Sequence, residues 1–162
     1  MGRRIAVVRL RGSYRLAAEV LIESGELLFH IEGQVTDKPS IYTLQVGENS
    51  HIEVAPSVTL GEIIDHHFWR FMNHNCEPNT TIRSQDVYAL CRINPWEEIT
   101  FNYNSTEAVI AEPFECRCGS RTCYGQVRGF NHLSRAEQED LRPLLAPHLL
   151  ARLDGDIGVR AG

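Results

Sequence analysis

Arg70-Phe71-Met72-Asn73-His74-Asn75-Cys76-Glu77-Pro78-Asn79 is a run dense in polar groups, set in the middle of a chain that otherwise reads as short strands. If its His and Asn side chains are buried, each must find a hydrogen-bond partner. About twenty residues on, Glu97-Glu98-Ile99-Thr100-Phe101-Asn102-Tyr103-Asn104 reads as a strand leading into a polar turn. Further on, Cys116-Arg117-Cys118-Gly119-Ser120-Arg121-Thr122-Cys123 has the spacing C-x-C-x4-C. Tyr103 alone is an ordinary half-buried strand aromatic, and His74 alone an ordinary loop histidine. The order of the three segments is what carries information.

Working outward, Arg4 to Leu10, Leu16 to Ile22, Leu27 to Ile31, Ile41 to Val46 and His51 to Val54 read as strands. Gly and Pro residues punctuate them. His66 to Met72 reads as a helical turn. Thr80 to Ser84, Val87 to Arg92 and Glu98 to Tyr103 return to strand character. After the cysteines, Ser134-Arg135-Ala136-Glu137 is a capping box. It predicts a helical tail to about Leu153, divided at Pro143 and Pro147 and fraying beyond. Leu141, Leu144, Leu145 and Leu149 need burial, which favours packing of the tail on the domain over a role in homodimerisation. The chain therefore predicts a mainly β single domain with a C-terminal helical extension.

The chain has 162 residues, 43% hydrophobic and 23% charged, with a formal net charge of −5. That is ample for one core and excludes a disordered tail, a fibrous repeat or a disulfide miniprotein. No apolar run approaches the roughly 20 residues of a membrane span. The opening Met1-Gly2-Arg3-Arg4 has neither a signal-peptide apolar stretch nor, with Ala6 at the sixth position, a myristoylation pattern. A soluble intracellular protein is expected, cytoplasmic in a bacterium or nuclear in a eukaryote. The acidic balance argues against direct nucleic-acid binding and fits a basic partner.

Five cysteines without an export signal point to metal or catalytic chemistry rather than disulfides. Three thiolates on one tight loop suit a tetrahedral Zn²⁺, and a closed site needs a fourth ligand. Gly119 and Gly125 give that loop the freedom to wrap an ion. Cys76, in a polar loop, is the better fourth ligand; Cys91, on an expected strand, reads as a buried structural thiol. A His in fourth place, His74 or His132, is the alternative.

The ordered set N-H-x-C-x-P-N, E-I-T-F-N-Y and C-x-C-x4-C-x-G resembles the SET-domain family of protein-lysine methyltransferases with its post-SET zinc loop. The resemblance covers roughly Arg11 to Gly129. It implies a β-clip-like fold of several short sheets around a knot-like crossing. Residues 1–111 would form the SET domain, 112–130 the zinc-binding loop and 131–162 the helical extension. The implied activity is methyl transfer from S-adenosylmethionine (SAM) to a lysine of a basic, histone-like protein. A catalytically inactive module that binds a lysine tail or cofactor is the alternative.

By the same resemblance, Tyr103 is the active-site tyrosine, and Phe101 stands where Phe favours di- or trimethylation. Arg70, Phe71, Asn73 and His74 contact SAM, partly through backbone, and Cys76, Cys116, Cys118 and Cys123 hold one structural zinc. Phe114 or Tyr124 covers the adenine or the zinc loop. Ser13-Tyr14-Arg15 aligns with the family's glycine-rich cofactor motif, which brings in Tyr14 and Arg15. Ile31 stands in place of a channel tyrosine, with His30 or Tyr42 as substitutes, and Asn102 replaces an Asp.

Overall fold

The computed structural model describes residues 4–160. Met1-Gly2-Arg3, read above for targeting signals, and the last two residues lie outside the described residues. In chain order come β1 (Ile5–Leu10), β2 (Ser13–Ala18), β3 (Leu27–His30), β4 (Gln34–Thr36), β5 (Leu44–Gly47) and β6 (Ser50–Glu53). They are followed by α1 (Leu60–His66), a 3-10 turn at Phe68–Phe71, β7 (Asn73–His74), β8 (Thr80–Arg83) and β9 (Asp86–Ala89). The remainder comprises β10 (Thr100–Phe101), β11 (Phe114–Glu115), β12 (Gln126–Val127), α2 (Arg135–Asp140) and α3 (Pro147–Arg160), with short 3-10 turns between. No helix among the described residues is long and apolar enough to cross a membrane.

The strands make five small sheets: the β1-β2 hairpin, β4-β6-β5, β3-β9-β8, β11-β12 and the pair β10-β7. The last is parallel, joining Thr100 to Asn73 and Phe101 to His74 in register. Buried polar side chains stitch the crossing. Asn79 Nδ2 donates to the Glu98 carbonyl at 2.8 Å, its Oδ1 accepts the Thr100 N–H at 2.9 Å, and Thr80 Oγ1 donates to the Thr100 carbonyl at 2.7 Å. A two-residue parallel pair buries little by itself, so these bonds satisfy backbone groups that a longer ladder would otherwise satisfy.

Several boundaries differ from expectation for physical reasons. The strand expected at Leu16 to Ile22 starts earlier, at Ser13, because the hairpin pairs Leu10 with Ser13; Ile22 retains only an isolated bridge to Ile93. Ile41 and Tyr42 lie outside β5 and are exposed. β9 ends at Ala89, which leaves Cys91 exposed rather than buried. Helix α1 was not anticipated: it is only seven residues long, and its short apolar triad Leu60, Ile63 and Ile64 is not buried. Its signal is instead a reciprocal capping box, Thr59 with Glu62.

Two apolar clusters hold the molecule. One gathers Leu16, Ile22, Ile31, Trp69, Val87, Ile99 and Phe101 among others beneath the sheets. The second joins Ala108 and Phe130 to Leu141, Leu145, Leu149 and Leu153 of the tail. The tail thus packs on the domain, and the Ala146 N–H donates to the Ser105 carbonyl at 2.8 Å. Pro143 sits in a 3-10 turn and Pro147 opens α3, which runs past Leu153 to Arg160.

Candidate active site

The β7–β10 pairing sets His74 beside Tyr103. The Tyr103 N–H donates to His74 Nδ1 at 3.0 Å, and the rings meet edge-on with centroids 5.3 Å apart. Because Nδ1 accepts, the imidazole's own proton is on Nε2, which faces Cys76 Sγ at 3.2 Å. Burial holds His74 down to about 4, so the ring is neutral. One histidine thereby couples the backbone at Tyr103 to the sulfur of Cys76.

The thiol sulfurs of Cys76, Cys116, Cys118 and Cys123 lie within 4.8 Å of one another, with Cys76 and Cys116 3.7 Å apart. Tetrahedral zinc with Zn–S near 2.3 Å requires sulfurs about 3.8 Å apart, so the donor set fits that ion. Gly119 at φ +75° and Gly125 at φ +74° take the left-handed turns that fold the loop round the sulfurs. Burial pushes the Cys76 thiol well above its usual range. Burial also raises Cys118, but the backbone N–H groups of Ser120 and Cys76 and the adjacent thiols outweigh it, bringing it down to about 7. A bound divalent cation would deprotonate all four outright. Cys91 and His132 lie outside the cluster, and His74 donates to a sulfur rather than completing the set.

Two cavities meet at Tyr103 and Phe114. The first, about 320 Å³, has a lining rich in apolar groups that includes Ile31, Tyr42, Trp69, Phe101 and Glu107. The second, about 550 Å³ and more polar, is lined by Arg15, Asn73, His74, Asn75 and Glu98, with Cys116 and Cys118 at the loop. Tyr103 lines both, and its hydroxyl donates to the Met72 carbonyl at 2.8 Å. Burial, then the charges of Glu107 and Glu98, push this phenol up to about 12, so it stays protonated.

Of the residues expected at a cofactor site, Arg15, Asn73, His74 and Phe114 line the polar cavity. Glu98, the first residue of the E-I-T-F-N-Y segment, ties two of them together: it accepts from Asn73 Nδ2 at 2.8 Å and lies 3.4 Å from Arg15. Tyr14 and Phe71 pack on each other, ring centroids 5.1 Å apart, and the Tyr14 carbonyl accepts from Asn73 Nδ2 at 3.4 Å. Arg70 lines the other cavity, over the Tyr42 ring at 4.4 Å. Phe101 packs 4.8 Å from the Tyr103 ring. Tyr42, not His30, lines the apolar cavity; His30 is exposed and paired with Asp86 at 2.7 Å. Asn102 Nδ2 donates to the Tyr124 hydroxyl at 3.3 Å, a bond that fastens the cysteine loop to the strand segment.

The sequence matches the SET domain family over residues 13–104, more than half of the chain. A histone-lysine N-methyltransferase, H3 lysine-36 specific, of Yarrowia lipolytica is 30% identical over 72% of this chain, which spans 17% of that protein's length. Methyltransferase flvH of Aspergillus flavus is 28% identical over 84% of this chain and 72% of its own. Among solved structures, KRYPTONITE in complex with mCHH DNA, H3(1-15) peptide and SAH superposes with a TM-score of 0.57 at 20% identity, covering 78% of this chain and 30% of that one. The chain belongs to the SET domain family.

Proposed function

We propose that this chain transfers methyl groups from SAM to the side-chain amine of lysine in a basic, histone-like protein. The observation that carries the reading is the position of Tyr103, the shared wall between a polar cavity and an apolar, aromatic one. Transfer between two reactants needs two sites that open onto one point, with the reacting atoms held in line. SAM supplies an electrophilic methyl group on a sulfonium. The polar cavity, with Arg15 and Glu98 offering both signs of charge beside Asn73 and His74, fits such a zwitterion. The apolar cavity fits the alkyl stem of a lysine, with Phe101 in the position that governs how many methyl groups are accepted.

Tyr103 acts by position rather than as a base. With its proton donated to the Met72 carbonyl and its phenol held up at about 12, the oxygen is a fixed dipole at the junction. Neutralising a lysine at pH 7 costs about 4.6 kcal/mol when unaided. An apolar cavity and a neighbouring sulfonium both disfavour the ammonium form. Cys76, Cys116, Cys118 and Cys123 would hold one structural zinc, keeping residues 112–130 against the Cys76 loop and Phe114 at the junction of the cavities. We read residues 1–111 as the catalytic part and 131–162 as a helical extension.

The test is calorimetric titration with SAM, followed by mass spectrometry of basic proteins and lysine peptides incubated with SAM. Saturable SAM binding and +14 Da steps per methyl group on lysine are expected. Binding without methylation across a broad panel that includes histone peptides would establish the inactive module instead.

A further inference from the structure

The apolar cavity also holds a half-buried acid. Glu107 lines this cavity with Tyr42, Phe101 and Tyr103. Its Oε1 accepts the Gln45 N–H at 2.8 Å and the Thr106 hydroxyl at 3.2 Å. Among the described residues, Oε2 accepts no hydrogen bond and no Arg, Lys or His forms an ion pair with the carboxylate. A glutamine would accept the same two bonds without the cost of burying a charge.

We propose that Glu107 is the proton acceptor for the incoming lysine: its carboxylate meets the ε-ammonium ion in the apolar cavity and takes one proton from it. This inference rests on the proposed lysine methyl transfer. In the step, one N–H bond of the ammonium breaks, its electron pair stays on nitrogen, and an O–H bond forms at the carboxylate. A cation and an anion become a neutral amine and a neutral acid, the pair that a dry cavity tolerates best. The amine is then free to attack the methyl carbon.

The surroundings fit the task. Burial, opposed by the bonds from Gln45 and Thr106, holds the Glu107 carboxyl up to about 7, near the value that suits a base working at neutral pH. The other titratable groups around the cavity are Tyr103, Tyr42, Glu112 and Arg70, and Arg70 is engaged over the Tyr42 ring. Behind Thr106, His148 Nε2 lies 2.7 Å from the Thr106 carbonyl; His51, beside Gln45 in the register of β5 and β6, completes the set.

The experiment compares the full chain with its Glu107→Gln variant, reading kcat/KM for a lysine peptide from pH 6 to 10.5, with SAM titrations in parallel. Wild-type activity should rise through an inflection near pH 7. The variant should lose that inflection and at least about 100-fold at pH 7. The gap should narrow above pH 10, where a growing fraction of free lysine is itself neutral. Unchanged SAM affinity shows that the site has survived the substitution; equal rates and profiles overturn the proposal. Should the variant misfold, wild-type binding decides: below pH 7 a lysine peptide should lose affinity while its norleucine counterpart does not. Parallel pH dependence of the two peptides overturns it. A wild type that binds SAM and methylates no lysine overturns the functional reading and this proposal together. Methylation unaffected by Glu107→Gln overturns the proposal alone.

Discussion

Tyr103 Oη, donating to the Met72 carbonyl across a separation of 31 residues, pins one side chain to the far side of the β7–β10 crossing. Replacing it with Phe removes that bond and the dipole at the junction while keeping the ring. A net hydrogen bond contributes about 1 kcal/mol to stability, so Tyr103→Phe should fold and retain SAM binding. Loss of positioning should cost on the order of 10²-fold in turnover, read as kcat at saturating SAM and peptide; full activity would remove the hydroxyl from the mechanism. Phe101 is buried and packed on the same ring, and in the proposed reaction it sets the space left for methyl groups. Phe101→Tyr adds a hydroxyl there and should shift products from di- and trimethyl-lysine towards monomethyl-lysine in an intact-mass time course.

At the scale of elements, the cysteine loop and the strand pair depend on one another through Cys76 and His74. Metal analysis should find about one zinc per chain, lost in Cys118→Ser and kept in Cys91→Ser. Chelation should lower the melting temperature, because the sulfurs otherwise have only weak hydrogen bonds to hold them. Loss of metal from Cys91→Ser would refute the ligand set.

The same elements explain what the sequence made legible. Three of the proposed ligands are readable directly, since a metal site needs its donors close together and C-x-C-x4-C achieves that on one loop. Cys76 is readable from its polar loop and from the order of motifs rather than from spacing, because its contact with Cys116 spans 40 residues. Helix α1 is seven residues long and buries none of them, so the triad Leu60, Ile63 and Ile64 is a short signal and the Thr59–Glu62 box is the stronger one. Glu107 carries no local signal at all: its setting depends on Gln45, 62 residues earlier.

For the molecule as a whole, the helical tail is joined to the sheets through titratable groups. His148 and His51 are both held below the ordinary histidine value, mainly by burial, and the Nδ1 atoms of both are buried without a hydrogen-bond partner among the described residues. A lowered histidine contributes stability that is present above its unfolded value of 6.5 and lost as pH falls through the folded one. Glu107 runs the other way: its contribution is full below 4.5 and lost as pH rises through about 7. With His74 also held down, to about 4, the three histidines together outweigh Glu107, and melting temperature should fall as pH drops below 6.5. His148→Gln, which keeps a donor for the Thr106 carbonyl, should flatten that acid limb; an unaltered slope would assign it elsewhere.

The separation of Cys76 from its partners also has a consequence during synthesis. At about 5–20 residues per second, Cys76 leaves the ribosome roughly 2–8 s before Cys116 follows. Throughout that interval its thiol lacks its three loop partners, and for about the first two-thirds of it the imidazole of His74 has no Tyr103 N–H to face and neither cavity has its shared wall. The nascent chain therefore passes through a period in which the Cys76 thiol stands without its partners, and a slow or stalled ribosome would lengthen the time this chain spends as a bare thiol.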